Sequence, residues 1–244
     1  MQGTRIGVAR GVEKVLIGKV LGRGGGSTDA IYRGMTWAMS QGAHVISMSL
    51  GLDFVAFRQQ LVDRGYSEKQ STSLALAGYR ANIRLFDKLS EVVTLGDGAI
   101  RGSIVVAAAG NDSQRPDFAI TVSPPAAGDK FLSVGAVGRV SLGTPFSVAS
   151  FSNDEVKCVG PGESILSAGL DGGLTVMSGT SMAAPHVAGV AVLWADRAIR
   201  TGDFIARDII EAMRRSADPL GHLSRRDVGW GIPLAPPVTQ RRTR

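Results

Sequence analysis

Residues 178–189, SGTSMAAPHVAG, constrain the fold of this chain more than any other stretch. Small and apolar residues follow a Gly-Thr turn, which predicts a buried helix. Ser181 then lies at the helix N-terminus, where unpaired backbone N–H groups and the positive end of the helix dipole converge. A hydroxyl placed there can attack a carbonyl carbon, and adjacent N–H groups can hold the resulting oxyanion. The alternative is a serine that only caps the helix.

The composition of the chain excludes several classes of protein and of partner. The chain has 244 residues, of which 44% are hydrophobic and 20% charged, enough to bury a sizeable core. The net charge is +6, but no basic stripe with interleaved aromatic residues is present, so we expect no nucleic-acid partner. No apolar run reaches the ~18 residues of a membrane span, so we expect no membrane partner. Cys158 is the single cysteine, which excludes an internal disulfide and favours a buried apolar position.

Strands and helices alternate in the first part of the chain. An apolar run over Val15–Leu21 predicts a buried strand, and Val45–Leu50 predicts a second. Between them, a helix is expected from Ser27 to about Ser40, with an apolar face made of Ile31, Met35, Ala38 and Met39. A strand–helix–strand unit of this spacing predicts an α/β fold, with a parallel sheet and helices on both faces.

The rest of the chain extends this pattern. Residues 52–98 predict two helices that form a partly superficial insertion, the second opened by a capping box of Ser67 and Gln70. Strands are expected over 103–109 and 131–137, followed by short strands and turns over 146–159 and a turn at 161–162. The helix of Ser181 should extend to about residue 199, and an amphipathic helix should cover 203–216. We assign residues 1–237 to one domain and residues 238–244 to a basic tail.

Three loops that follow predicted elements carry the candidate chemistry. The loops at the carboxyl ends of parallel strands gather at one edge of a sheet, where ligands bind in such folds. The motifs are Ser49-Leu50-Gly51, Ala108-Ala109-Gly110-Asn111 and Ser178-Gly179-Thr180-Ser181. In this order they resemble the motifs of the subtilisin-like serine peptidases, the subtilases. The resemblance extends from about residue 3 to about residue 233.

The resemblance implies a serine endopeptidase with a polypeptide substrate and no cofactor. Ser181 would be the nucleophile, and Asn111 would donate its side-chain amide to the oxyanion together with the Ser181 N–H. The implied substrate contacts are backbone pairing by Ser49, Leu50 and Gly51, and a pocket bounded by Ala108, Ala109, Gly110 and Thr180. Subtilases often bind structural Ca²⁺, but no carboxylate cluster here has a suitable ligand spacing, so no metal site is assigned.

Two members of the expected triad are missing. Subtilases use Asp, His and Ser in that chain order, and neither the His-Gly-Thr-His nor the Asp-Ser/Thr-Gly motif occurs here. The order Asp29, His44, Ser181 is formally correct, but His44 opens a strand at the end remote from the expected site, and Asp29 suits a helix cap. His186 follows Ser181 by five helical positions, so its side chain points elsewhere.

Three hypotheses follow. In the first, the chain is a subtilase fragment whose Asp and His are encoded upstream of Met1, and it exposes apolar surface that the missing strands would cover. In the second, it is an inactive pseudopeptidase that binds peptides. The third is a nucleotide-binding protein, suggested by the glycines of residues 22–26, but Ser27 stands where a fingerprint glycine is needed. Residues 1–25 show no signal-peptide pattern, and neither compartment nor oligomeric state is predicted.

Overall fold

A computed structural model describes residues 7–23, 25–96, 102–141 and 143–237. Its centre is a five-stranded sheet within those residues. The strands are β1 (Val45–Met48), β2 (Ile104–Ala108), β3 (Leu132–Gly138), β4 (Ser147–Val148) and β5 (Cys158–Pro161). Strands β1, β2 and β3 are parallel neighbours, β5 pairs with β3 in parallel, and β4 pairs with β3 antiparallel.

Helices cover the two faces of this sheet. They are α1 (Thr28–Ser40), α2 (Phe54–Asp63), α3 (Glu68–Leu95), α4 (Thr180–Thr201), α5 (Ala206–Ser216) and α6 (Arg225–Val228). A separate antiparallel hairpin, formed by β6 (Ile165–Ala168) and β7 (Leu174–Met177), precedes α4. The fold is therefore the predicted α/β class with a parallel sheet and helices on both faces.

Strand β2 is buried on both sides, which divides the core into two layers. Ile104, Val106 and Ala108 pack on one face in a cluster with α4 and α5. Val105 and Ala107 pack on the other face in a cluster with α1 and α3. Successive side chains of a strand point to opposite faces, so a continuous apolar strand is what a sheet covered on both sides requires.

Helix α1 forms as the sequence predicts. Ser27 is its N-cap, and the Ser27 hydroxyl accepts a hydrogen bond from the Ala30 N–H at 3.1 Å. Its buried residues are the four expected ones, Ile31, Met35, Ala38 and Met39. The predicted apolar face is therefore the face that packs on the sheet.

The prediction of a strand over Val15–Leu21 is wrong. The segment has no regular secondary structure, and the side chains of Val15 and Ile17 are 69% and 82% exposed. The segment runs along α1 instead, and the Val20 side chain packs against Gly34 of that helix. A strand needs a hydrogen-bonded neighbour, and β1 pairs only with β2 within the described residues. The predicted strand–helix–strand unit is thus reduced to α1 followed by β1.

The two helices predicted over residues 52–98 are present. Ser67 and Gln70 form the expected reciprocal capping box at the start of α3. The C-terminal half of α3 buries Phe86, Leu89 and Val93 against the sheet, so this half contributes to the core. The hairpin β6–β7 has no counterpart among the predicted elements, and Pro161 ends β5 where a turn is predicted.

Residues 238–244, the predicted basic tail, lie outside the described residues. Within the described ranges, no helix combines the length and the hydropathy needed to cross a bilayer.

Candidate active site

The three motifs singled out in the sequence meet at the carboxyl ends of β1 and β2. From the end of β1, the Ser49 hydroxyl donates a hydrogen bond to the Ser181 carbonyl oxygen at 3.0 Å. From the loop after β2, the Asn111 Oδ1 accepts a hydrogen bond from the Thr180 N–H at 2.8 Å. The N-terminus of α4 is therefore held at the edge of the sheet where such folds place their sites.

The first turn of α4 leaves one backbone donor unused. Helix N-termini carry N–H groups without intrahelical acceptors. Here the Gly179 N–H donates to Gly162 O, the Thr180 N–H to Asn111 Oδ1, and the Met182 N–H to Gly179 O. The Ser181 N–H has no acceptor among the described residues. It is thus available beside the Ser181 hydroxyl, at the positive end of the helix dipole.

The orientation of the Asn111 amide follows from its partners. Its Oδ1 accepts from both the N–H and the hydroxyl of Thr180, at 2.8 and 3.0 Å. A backbone N–H can only donate, so the atom facing Thr180 has to be the amide oxygen. The Nδ2 of Asn111 then points away from Thr180 and has no acceptor within the described parts of the chain, and the side chain is exposed. Within the described residues, the start of α4 therefore presents two donors without a protein acceptor, the Ser181 N–H and Asn111 Nδ2.

The loop that carries Asn111 is held by hydrogen bonds to the side chain of Asn153, which is fully buried. The Asn153 Oδ1 accepts from the N–H groups of Asp112 and Ser113 at 2.9 and 3.2 Å. Its Nδ2 donates to the carbonyl oxygens of Ala109 and Thr121, both at 3.3 Å, and to Asp112 Oδ2 at 3.0 Å. One buried amide thus pairs with two N–H groups, two carbonyl oxygens and one carboxylate oxygen around this turn.

Two glycines of the site adopt backbone conformations that other residues avoid. Gly110 has φ of +114°, and a Cβ there would lie 2.3 Å from Asn153 Nδ2. Gly179, the N-cap of α4, has φ of +154° with an extended ψ of 159°. Glycine alone adopts such conformations without strain. Both turns that present the donors consequently depend on glycine.

The residues expected to bind substrate fall into two groups. Ser49 and Gly51 are exposed at the end of β1, and Leu50 is half-buried. Ala108 and Ala109 are buried in the core, and only Gly110 of that motif is partly exposed. The segment Ser123–Pro124 links the two strand ends, because Ser123 N–H donates to Ala109 O at 3.1 Å and Leu52 N–H to Pro124 O at 2.8 Å. That segment was not anticipated from the sequence.

The roles of Thr180 and Asn153 were also missed. Thr180 is fully buried, and its hydroxyl also accepts from the Gly110 N–H at 3.3 Å, so it holds the Asn111 loop. The only sequence signal for Asn153 is that it lies within residues 3–233, over which the resemblance extends.

The three histidines are engaged elsewhere. His186 Nδ1 hydrogen-bonds Met182 O at 2.8 Å along its own helix, and His222 Nε2 hydrogen-bonds Phe146 O at 2.8 Å. The His44 ring packs edge-on against Phe204 with centroids 4.8 Å apart. Among the described residues, no hydrogen bond joins the Ser181 hydroxyl to a histidine.

The substitute triad is not assembled either. His44 immediately precedes β1, whereas Ser49 immediately follows it, so roughly 16 Å of extended chain separates them at about 3.3 Å per residue. Asp29 pairs with Arg33 on the surface of α1 at 2.9 Å.

Within the described ranges, no group of three His, Cys, Asp or Glu side chains could hold a metal ion.

Cys158 is fully buried, and burial raises the pKa of its thiol to about 12. A thiol in this environment is a packing group and a poor nucleophile.

Comparison with known proteins identifies the family of this chain. The sequence profile of the subtilase family, Peptidase S8, matches residues 2–231. The chain belongs to the subtilase family. Among relatives, it is 34% identical over 181 residues to the major intracellular serine protease of Bacillus subtilis (strain 168), covering 73% of this chain and 46% of that protein. It is 32% identical over 189 residues to subtilisin DY of Bacillus licheniformis, covering 77% and 56%.

Solved structures agree with this assignment. A mutant of the protease domain of PatA superposes with a TM-score of 0.57 at 25% identity, covering 87% of this subtilase chain and 66% of that chain. The prenylagaramide maturation protease PagA shares the fold, with a TM-score of 0.54 at 23% identity, covering 85% and 65%. The chain spans about half the length of the curated relatives it matches.

Proposed function

We propose that this subtilase is a serine endopeptidase in which Ser181 is the nucleophile and the Ser181 N–H and Asn111 Nδ2 form the oxyanion hole. The observation that carries the proposal is the amide of Asn111, whose oxygen is held by Thr180 at 2.8 and 3.0 Å. Its nitrogen is thereby directed outwards beside the start of α4. Preorganised donors aimed at a developing oxyanion are commonly the largest single contribution to acyl-transfer catalysis.

The reaction follows from this arrangement. The Ser181 Oγ forms a bond to the scissile carbonyl carbon, and the carbonyl π electrons move to the oxygen. Ser181 N–H and Asn111 Nδ2 donate to that oxyanion. When it collapses, the C–N bond breaks and the amine leaves with a proton. Water then hydrolyses the ester on Ser181. Substrate backbone would pair with residues 49–51 as an added strand.

The proton of Ser181 has to pass to a base, and among the described residues no histidine is hydrogen-bonded to the Ser181 hydroxyl. Each of the three histidines is engaged elsewhere within the described residues. We therefore propose that the chain supplies the nucleophile and the oxyanion hole, while the base and its orienting carboxylate belong to residues outside this sequence. Loss of the triad His costs about 10⁶ in turnover, a figure taken from subtilisin itself.

The test is covalent labelling of the 244-residue chain with a fluorophosphonate probe, followed by peptide mapping. We expect slow labelling confined to Ser181 and abolished in Ser181→Ala. Labelling at other serines at the same rate, or the same rate in Ser181→Ala, would refute the assignment of the nucleophile. Thermal melting of Ser181→Ala serves as the control for folding.

The second candidate function is a pseudopeptidase that binds peptides without cleaving them. The observation that favours it is the absence of any hydrogen bond between Ser181 and a histidine in the described structure. In that case the chain would bind an extended peptide saturably, while Ser181 would stay unlabelled even when an external base is added. The added base therefore separates the two candidates.

A further inference from the structure

A proline interrupts the hydrogen-bond ladder of α4 at the nucleophile. In an α-helix the carbonyl of a residue accepts from the N–H four positions later. Four positions after Ser181 lies Pro185, inside the helix. Proline has no N–H, and its ring crowds the carbonyl four residues earlier. The Ser181 carbonyl is therefore deprived of its normal helical donor.

A side chain from another element supplies the missing donor. The Ser49 hydroxyl, directly after β1, donates to the Ser181 carbonyl oxygen at 3.0 Å. The two residues are 132 positions apart in the sequence, so this bond joins separate parts of the fold. With an N–H at position 185, the helix itself would compete for this carbonyl. Because residue 185 is proline, the Ser181 carbonyl oxygen can accept from Ser49 without competition from the helix.

The result is a nucleophile anchored from two neighbouring strands. Asn111, after β2, holds Thr180, and Ser49, after β1, holds Ser181. These two residues are consecutive in the first turn of α4. The same Ser49 also begins the segment 49–51 that would pair with the substrate backbone. The bond therefore ties the position of the attacking hydroxyl to the position of the bound peptide.

We infer that Ser49 is a positioning residue for Ser181, acting through the Ser181 carbonyl that Pro185 leaves available. This inference rests on the proposed function, because it assigns Ser49 a part in setting the geometry of attack. The physical basis is the steep dependence of such reactions on alignment, in which a misplacement of about 1 Å can cost roughly 10²-fold in rate. A single neutral hydrogen bond should account for a smaller share, about three- to tenfold.

The test is a double-mutant cycle of Ser49→Ala and Pro185→Ala, read by the rate of fluorophosphonate labelling of Ser181. Ser49→Ala should lower the rate about three- to tenfold in the parent chain. In the Pro185→Ala background the same change should matter less than about twofold, because the new N–H at 185 occupies the carbonyl. Ser49→Thr keeps the hydroxyl and should restore the parent rate. Ser47→Ala, an exposed serine on β1 itself, is the matched control and should change nothing.

A second readout does not depend on catalysis. In protein carrying ¹³C at serine carbonyls, the Ser181 resonance should move in Ser49→Ala and stay in place in Ser49→Thr and Ser47→Ala. An unmoved resonance in Ser49→Ala, or equal rate losses in both backgrounds of the cycle, would overturn the inference. If the parent chain is never labelled, the proposed function fails instead, and the ¹³C shift still decides whether Ser49 holds this carbonyl.

Discussion

At the scale of single residues, Asn111 is the side chain whose chemistry the structure defines best. Replacement by Ala removes the oxyanion donor that we propose, and in subtilisin, from which this figure is taken, removing the corresponding donor costs about 10²–10³ in turnover. We expect a loss of the same order in the Ser181 labelling rate. Asn111→Asp retains an oxygen for Thr180 but replaces the donor with an anionic oxygen, so its loss should be at least as large as that of Asn111→Ala. A labelling rate within about twofold of the parent in both variants would exclude Asn111 from the oxyanion hole.

Cys158 gives a prediction on the pH dependence of stability. Burial raises the pKa of its thiol from an ordinary value of 9.0 to about 12. The unfolded chain therefore loses this proton near pH 9, whereas the folded chain retains it until about pH 12. Between these values the folded state binds more protons, so stability should fall as pH rises, by up to about 1.4 kcal/mol per pH unit.

The check is denaturant unfolding of parent and Cys158→Ala between pH 8 and 10.5. The alanine variant should lack this contribution, so the two stability curves should converge as pH rises above 9. In parallel, iodoacetamide should alkylate Cys158 at pH 8.5 only in the presence of denaturant. Rapid alkylation of the native chain would contradict the burial of this thiol.

At this scale the sequence indicates which residues to consider more readily than what holds them in place. Ser181 and Asn111 stand out because their motifs are specific. Thr180 was assigned to substrate, and the structure adds its bonds to Asn111 and Gly110. Asn153 could not be recognised as the residue that holds the loop, because its bonds reach residues about 30 to 45 positions away. Tertiary hydrogen bonds of this kind leave no periodic signal in a sequence.

At the scale of elements, α3 joins an exposed half to a buried half. Phe86 is fully buried against the sheet, while its neighbour Leu85 is 38% exposed. Phe86→Ala should destabilise the protein by about 3–5 kcal/mol, the usual cost of emptying a buried aromatic site. Leu85→Ala is the matched control on the same helix, and should cost less than about 1 kcal/mol. Equal costs in urea unfolding would place the C-terminal half of α3 outside the core.

The comparison of α1 with residues 15–21 shows which elements a sequence can predict. Helix α1 has a capping serine and an apolar face of helical period, and both signals are local. The run over Val15–Leu21 is equally apolar, yet a strand depends on a neighbour in the sheet, which the run itself cannot reveal. Within the described residues no strand lies on that side of β1, and the segment packs along α1 instead. The hairpin β6–β7 was missed because its strands are only four residues long and almost entirely exposed, so they lack the pattern of a half-buried strand.

At the scale of the whole molecule, the α/β architecture explains why motifs distant in sequence form one site. Parallel strands β1 and β2 end at the same edge, and α4 packs across both and begins at that edge. The family is shown by the match over residues 2–231, and the roles of Ser181 and Asn111 at this edge are what we propose.

The most direct test of the account is the dependence of Ser181 labelling on added imidazole. If the chain has its nucleophile and oxyanion donors in place and lacks only a base, the labelling rate should rise in proportion to the concentration of neutral imidazole. The rise should follow the titration of imidazole and should disappear in Ser181→Ala. A rate that is independent of imidazole, in a protein that remains folded, would contradict the claim that Ser181 is a catalytic nucleophile awaiting only its base.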